Sequence, residues 1–439
     1  MSKLSTDTTA RPAWCYLCPL FLLACTPDPA AQTTEDPGTA ASTATTAAGS
    51  SDNSGSSEAP TTGGAGTSAA PVCGDTQLDP DEACDDGNAI NGDGCNRDCQ
   101  PSATPLVEYR GDMYGDIYSL AADPNGTLLV GGTRDGAGWV ARFDAELASL
   151  ASLTYEQTLV RAVAVTDGAI YAAGSIDGAM DGHDLWVARL SPDGVVEWED
   201  RFSGGKGDDW ATQVAEIDGD LVVTGLVLAD QLWTRRYGPD GAIQWTTSIP
   251  LGYTYKNIWP LGPGMAVRDD AVLAGWNEFS VDNYYETLHA LATADGAAIW
   301  TAQGQAIGGF AAIAVDPGGE LALASAHDYD ILTVTRTTSA GAQIWSSDKC
   351  VGTYGRDIAI DSQGDIVVIG DGNAKGGTNI RLCKFSPDGA LRWGKDIDGG
   401  AGDDRGHAVA IDAEDRIIAG GQVYVGTDDR RAWLAIFSP

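Results

Sequence analysis

The chain has 439 residues, with 62 Asp and Glu against 26 Lys and Arg, a formal net charge of −36. A surface so acidic repels phosphate backbones and anionic lipid, which excludes nucleic-acid binding and side-chain attachment to a membrane. With 43% hydrophobic residues and only 4 His, the composition suits a large packed domain better than a histidine-based active site.

Residues 1–12 carry Lys3 and Arg11, and residues 13–24 form an apolar stretch too short to span a bilayer. This is the layout of a signal peptide, 1–24. Its end, Leu22-Leu23-Ala24-Cys25, resembles the lipobox of bacterial lipoproteins. The resemblance implies that Cys25 is lipidated and becomes the first mature residue, anchoring the chain in a membrane. An ordinary cleaved signal with an incidental cysteine is the alternative. Thr26 at the following position, rather than Asp, implies an outer-membrane or cell-surface location. Residues 26–72 are Thr, Ser, Ala, Gly and Pro with a few acids and no Lys or Arg, so 25–72 reads as a disordered tether behind the anchor.

Cys73, Cys84, Cys95 and Cys99 fall inside 73–100, within Cys-Asp-Asp-Gly-Asn and Gly-Asp-Gly-Cys phrases. The stretch resembles the myxobacterial cysteine-rich repeat, departing from it at Thr76. In an exported protein four cysteines imply two disulfides, whose connectivity the sequence leaves open. A zinc site is the rival reading. Asp85, Asp86, Asn88, Asn91 and Asp93 supply hard oxygen donors interleaved with glycine, which suits Ca²⁺. The competing reading is a set of Asx turns that compact the loop.

From residue 101 onward one phrase recurs: a turn, a short apolar run, then a small residue. Its copies end at Gly132, Gly174, Gly225, Gly275, Ser325, Gly370 and Gly420, spaced 42 to 51 positions apart. Within a copy, a turn such as Ser386-Pro387-Asp388-Gly389 precedes a fourth strand that carries a tryptophan. Those tryptophans are Trp198, Trp245, Trp300, Trp345 and Trp393; another set, Trp139, Trp186, Trp233 and Trp433, falls in third strands. A large aromatic at fixed phase in every repeat is packing between repeats. Short strands at this period predict an all-β, seven-bladed β-propeller of four-stranded blades over 101–439, preceded by the small disulfide-rich module and the tether. The repeats are similar to those of bacterial surface propellers of the SBBP type and of quinoprotein-like propellers.

The last repeat supplies three strands, so residues 105–110 are expected to complete it as the outermost strand, with Tyr109 in the position of the repeated tryptophan. After Cys25 and the four-cysteine block, Cys350 and Cys383 remain, and parity offers a disulfide between them, against two buried free thiols.

The chain shows no zincin pattern, nucleophile elbow or phosphate-cradling loop. Aligned by repeat, His289 falls in a strand, and His183, His327 and His407 near loops. Asp208-Asp209 and Asp403-Asp404 recur at equivalent positions, which favours a structural turn role. The long, unequal loops share one face, where binding tends to reside. Tyr253, Tyr255, Tyr284, Tyr285 and Tyr424 lie among them and suit a protein or carbohydrate ligand. The reading is therefore a monomeric surface lipoprotein whose propeller is a binding scaffold, with no cofactor beyond Ca²⁺. The alternative is an enzyme: a quinoprotein-like dehydrogenase or a glycan lyase or hydrolase.

Overall fold

A computed structural model describes residues 73–439, apart from 124, 167–168, 179–181, 206, 229–230, 252–263, 269, 281–282, 305–307, 328–330 and 375–376. Cys25 and the segments expected to be a signal and a tether lie outside the described residues. The described part is built of strands and turns without helix.

Each second strand is an apolar run buried on both sides, as in Leu221-Val222-Val223 and Ile366-Val367-Val368. Such a strand must lie between two other layers. Fourth strands such as Val196–Phe202 alternate exposed and half-buried positions, as expected at a rim with one face in water. Five sheets have four strands each, and a sixth has seven. The seven-stranded sheet is two blades sharing one long strand, Pro105–Ala122. Its first part pairs with Asp429–Phe437, with Val107 opposite Ile436 and Tyr109 opposite Leu434. Its second part pairs with Leu128–Arg134. The seven innermost strands touch their neighbours in a closed ring. The fold is thus a seven-bladed propeller, and residues 105–110 complete blade 7 in the register the sequence predicts.

The repeated aromatics form a seam between blades. Trp198, Trp245, Trp300 and Trp345 each lie on the turn before the fourth strand of the next blade, against Gly241, Gly296, Gly341 and Gly389. Gly241 has φ 80°, and a Cβ there would come within 2.9 Å of the Trp198 ring, so the position requires glycine twice over. The indole N–H groups donate to the same turns: Trp198 to Pro239 O at 3.1 Å, Trp345 to Pro387 O at 2.9 Å. In blade 1 Tyr155 takes the tryptophan's place, its hydroxyl donating to Gly194 O at 2.9 Å. In blade 7 it is Tyr109, packed on Phe143 with ring centroids 4.9 Å apart.

Blade 6 is different. Blade 7 has no turn between its third and fourth strands, so Trp393 meets the cysteine-rich module instead, donating to Gly92 O at 3.1 Å. Asn96 Nδ2 donates to Ser438 Oγ at 3.2 Å, and Gln363 Nε2 to Asn91 O at 3.3 Å. Beneath Gly92 lies Lys384, 1% exposed, with its ammonium 2.9 Å from Asp361. Module and propeller form one compact unit.

Inside the module Cys84 and Cys95 are joined, with Cα atoms 5.7 Å apart. The expected second bridge is not formed. Cys73 and Cys99 are free thiols, Cys73 Sγ donating to Asn96 O and Cys99 Sγ to the Glu82 carboxylate. Side-chain oxygens of the five expected calcium ligands are engaged in bonds within the module. Asp85 accepts the N–H groups of Gly74, Asp75, Thr76 and Gly87. Asp86 accepts Cys95 N–H, Asn88 accepts Ile90 N–H, Asn91 accepts Arg97 N–H, and Asp93 accepts the Asn88 amide. Turn chemistry has taken up most of these oxygens. Cys350 and Cys383 are joined, with Cα atoms 6.0 Å apart, in a core cluster with Leu332, Val334 and Ile366 that ties blade 5 to blade 6.

Candidate functional site on the propeller axis

Six of the seven inner strands contain a one-residue register shift near their entry end. The extra residues are Tyr118, Arg161, Thr212, Ala311, Arg356 and His407; in blade 4 the described inner strand, Gly264–Arg268, runs in straight register. A β-bulge re-aims the side chain at which it occurs. In blades 1 to 3 the residue before the shift is fully buried: Ile117, Val160 and Ala211 are all 0% exposed. The bulge re-aims Tyr118, Arg161, Arg356 and His407 towards one another around the axis. Cross-blade bonds hold the strands in phase. Val163 N–H donates to Ser119 Oγ at 3.1 Å, and Val409 N–H to Asp357 Oδ2 at 2.8 Å.

The side chains form one constellation. The Tyr118 and His407 rings lie 5.2 Å apart between centroids. Tyr118 donates its hydroxyl proton to Asp116 Oδ2 at 3.0 Å, which also receives Thr133 Oγ1–H at 3.2 Å and pairs with Arg430 at 2.9 Å. The Arg161 guanidinium stands 5.8 Å from the centroids of both Tyr118 and Trp210. Arg356 grips Asp371 through two bonds, of 2.9 and 2.6 Å. Arg405 lies close enough to act electrostatically on both Asp116 and His407.

Burial sets the protonation states. It holds the His407 imidazole well below its usual range, an effect deepened by Arg356 and Arg405, so the ring is neutral near pH 7. It raises the Tyr118 hydroxyl and, despite Arg430, the Asp116 carboxyl. It lowers Arg161. His407 Nε2, Arg405 Nε, Arg430 Nε and Asp116 Oδ1 are buried without a hydrogen-bond partner among the described residues. Buried polar atoms are normally paired, so His407 Nε2 and Asp116 Oδ1 have capacity for a further partner.

Sequence reading places His407 near a loop; the structure places it on the axis, because the bulge moves it out of the strand's regular alternation. The sequence carries a signal for it: inner strands share an apolar phrase, such as Ala408-Val409-Ala410-Ile411 or Ala162-Val163-Ala164-Val165, preceded by a residue that varies in chemistry from blade to blade. The tyrosines are a different matter. Tyr253 and Tyr255 lie outside the described residues. Tyr284 and Tyr285 are on the strand Asn283–Ala292, their side chains likewise outside description. Tyr424 is half-buried, its ring over Gly402. The paired aspartates clamp loops. Asp209 accepts the N–H groups of Gly204 and Leu228, and Asp404 those of Gly399 and Tyr424. His183 bonds Asp208 at 2.9 Å on the loop face, and His289 bonds Thr301 at 3.0 Å in blade 4, so these histidines share no site with His407.

A family model described as outer membrane protein assembly factor BamB matches residues 232–437. Among solved structures, one titled streptogramin B lyase has 12% identity and a TM-score of 0.52, covering 77% of this chain and 100% of that one. A protein of unknown function from Bacteroides caccae has 12% identity and a TM-score of 0.43, covering 62% of this chain and 93% of that one. Drosophila Plexin A in complex with Semaphorin 1b has 10% identity and a TM-score of 0.45, covering 76% and 87%. No curated protein matches the chain. The class is thus a β-propeller with repeats like those of the matched family model. At 12% identity the streptogramin B lyase likeness speaks for the fold alone.

Proposed function

We propose that this protein is a lipid-anchored binding propeller of the cell surface, whose binding site is the axial mouth on the side where the inner strands begin. One observation carries the reading: a ring of inner strands brings Tyr118, His407 and the two arginines Arg161 and Arg356 together around one axis by the same backbone device. Packing alone would favour similar residues in every blade, as it does for the tryptophan seam. A fold shared by many activities does not choose among them, whereas a site of this kind offers donors, a stacking surface and an acceptor to a ligand.

The test compares the wild type with a Tyr118→Phe, Arg161→Ala, His407→Ala variant on a glycan and metabolite array. Ligands retained by the wild type and lost by the variant support the reading. Equal retention by both, or a quinone chromophore on reconstitution with Ca²⁺ and quinone, overturns it. The anchor is tested apart: Cys25→Ser should move the protein from the membrane to the soluble fraction.

A further inference from the structure

Of 26 Lys and Arg in a chain of net charge −36, three arginines, Arg356, Arg405 and Arg430, act on the His407 ring, and a fourth, Arg161, stands over the adjoining Tyr118 ring. Against them stand two carboxylates. Asp371 is gripped by Arg356, and Asp116 is shared by Arg430, Tyr118 and Thr133. Asp357, deeper in the same ring, has a carboxyl committed to the N–H groups of Val409 and Ile358. Arg405 forms no ion pair among the described residues, and its Nε is buried without a partner. Arg161 is held over two aromatic rings. His407 is uncharged and leaves Nε2 unpartnered beside them. Among the described residues the mouth therefore holds four guanidinium groups against the carboxyls of Asp116, Asp371 and Asp357, inside a chain of net charge −36. Uncompensated charge in a partly buried site is costly, and an oxyanion removes that cost. Guanidinium groups match the planar, two-oxygen edge of a carboxylate and the oxygens of phosphate or sulfate.

Resting on the reading that the axial mouth is the binding site, we propose that it takes a single oxyanion group at the end of a ligand, with the rest of the ligand stacked over Trp210 and Tyr118. The acidity of the whole chain sets the ligand's charge. A polyanion would be repelled along its length, whereas one anionic end reaches the arginines within a screening distance of about 8 Å at physiological salt.

The probes are galacturonate, inorganic phosphate and neutral galactose, titrated calorimetrically into the full protein at low ionic strength. Galacturonate or phosphate should bind and galactose should not; binding by galacturonate alone assigns a carboxylated sugar, and by phosphate alone a phosphate ester. Arg405→Ala should weaken anion binding about tenfold or more, with Arg405→Lys in between. Arg405→Ala should not lower the melting temperature in anion-free buffer, because it relieves excess positive charge. No anion binding, or equal binding by wild type and Arg405→Ala, overturns the proposal. Galactose binding that Trp210→Ala abolishes and Arg405→Ala leaves intact would keep the axial site and refute its anionic specificity. A probe bound with no axial variant affecting it would refute both.

Discussion

The junction between blades 3 and 4 and that between blades 6 and 7 begin alike and are finished differently. At the first, Trp245 lies on the Gly296 turn of the following blade and donates to Thr293 O at 2.8 Å. At the second, Trp393 has no such turn to meet, because the third and fourth strands of blade 7 come from opposite ends of the propeller sequence. The cysteine-rich module supplies the missing surface: Gly92 O accepts the indole N–H, and Asp93 approaches Arg392 at 3.8 Å. The module is therefore part of the ring's closure. A repeat protein can complete its last unit with a segment that is no repeat at all, provided that segment offers the same carbonyl and the same close approach.

The largest effect expected at this junction comes from removing the closing strand. Deleting residues 101–110 takes Val107 and Tyr109 from a cluster with Trp139, Phe143 and Leu434 and leaves the edge Asp429–Phe437 open. Denaturant unfolding should show a loss of about 5 kcal/mol, and light scattering should show oligomers formed through the open edge. Deletion of 26–70 should leave unfolding unchanged. A monomeric, fully stable 101–110 deletion would show that blade 7 does not depend on its fourth strand.

Next comes the comparison of tryptophans. Trp345→Ala and Trp393→Ala should each cost about 3 kcal/mol in the full chain. In a chain lacking 73–100, Trp345→Ala should cost the same, and Trp393→Ala about 1 kcal/mol, because its ring then faces water. Equal penalties in both backgrounds would mean that the module merely rests on blade 6.

Blades 5 and 6 have a covalent tie where blades 6 and 7 have the module. Cys350→Ser with Cys383→Ser should lower stability by about 3 kcal/mol, and reductant should reproduce the loss in the wild type alone.

A smaller, pH-dependent effect belongs to Asp357, which bonds blade 6 to blade 7 through Val409 N–H and whose carboxyl burial pushes up to about 7. A carboxyl raised in the folded state adds stability below its unfolded value of 3.8 and loses that contribution as pH climbs towards 7. Asp357→Asn keeps an acceptor for Val409 but gives up the one for Ile358, and should gain at most about 2 kcal/mol at pH 8 and nothing at pH 3.5. A stability profile unaltered by the substitution would place this carboxylate in contact with water.

The smallest effect lies inside the module. The Cys73 and Cys99 sulfurs and a Glu82 oxygen all fall within 4.8 Å of one another, and the bond to Cys73 pushes the Cys99 thiol up to about 12. Mild oxidation should link Cys73 to Cys99 with the loss of two hydrogens, read by peptide mapping, and should tighten the module on blade 6. Thiols that survive oxidation, or a bridge that rearranges Cys84–Cys95, would count against this pairing.

The blade count, the turns and the tryptophan seam were legible in the sequence because each rests on local chemistry repeated at fixed phase. Asp and Gly make the turns, an apolar run makes a doubly covered strand, and tryptophan needs a large buried contact. The closing strand was legible for the same reason, since Tyr109 occupies the phase of the missing aromatic. The axial site was not. His407 and Arg161 become neighbours of Tyr118 only when a bulge shifts each strand by one residue and seven strands, each from a separate repeat, close into a ring. Cys350 and Cys383 were paired by parity alone; their proximity depends on blade 6 placing its third strand against the end of blade 5. By itself, then, the sequence determined the repeating unit, whose energetics are contained within some 50 residues. Only the tertiary structure decided what the ring encloses, how its last junction is sealed and which charges meet at its centre, because those contacts join residues hundreds of positions apart and no local preference encodes them.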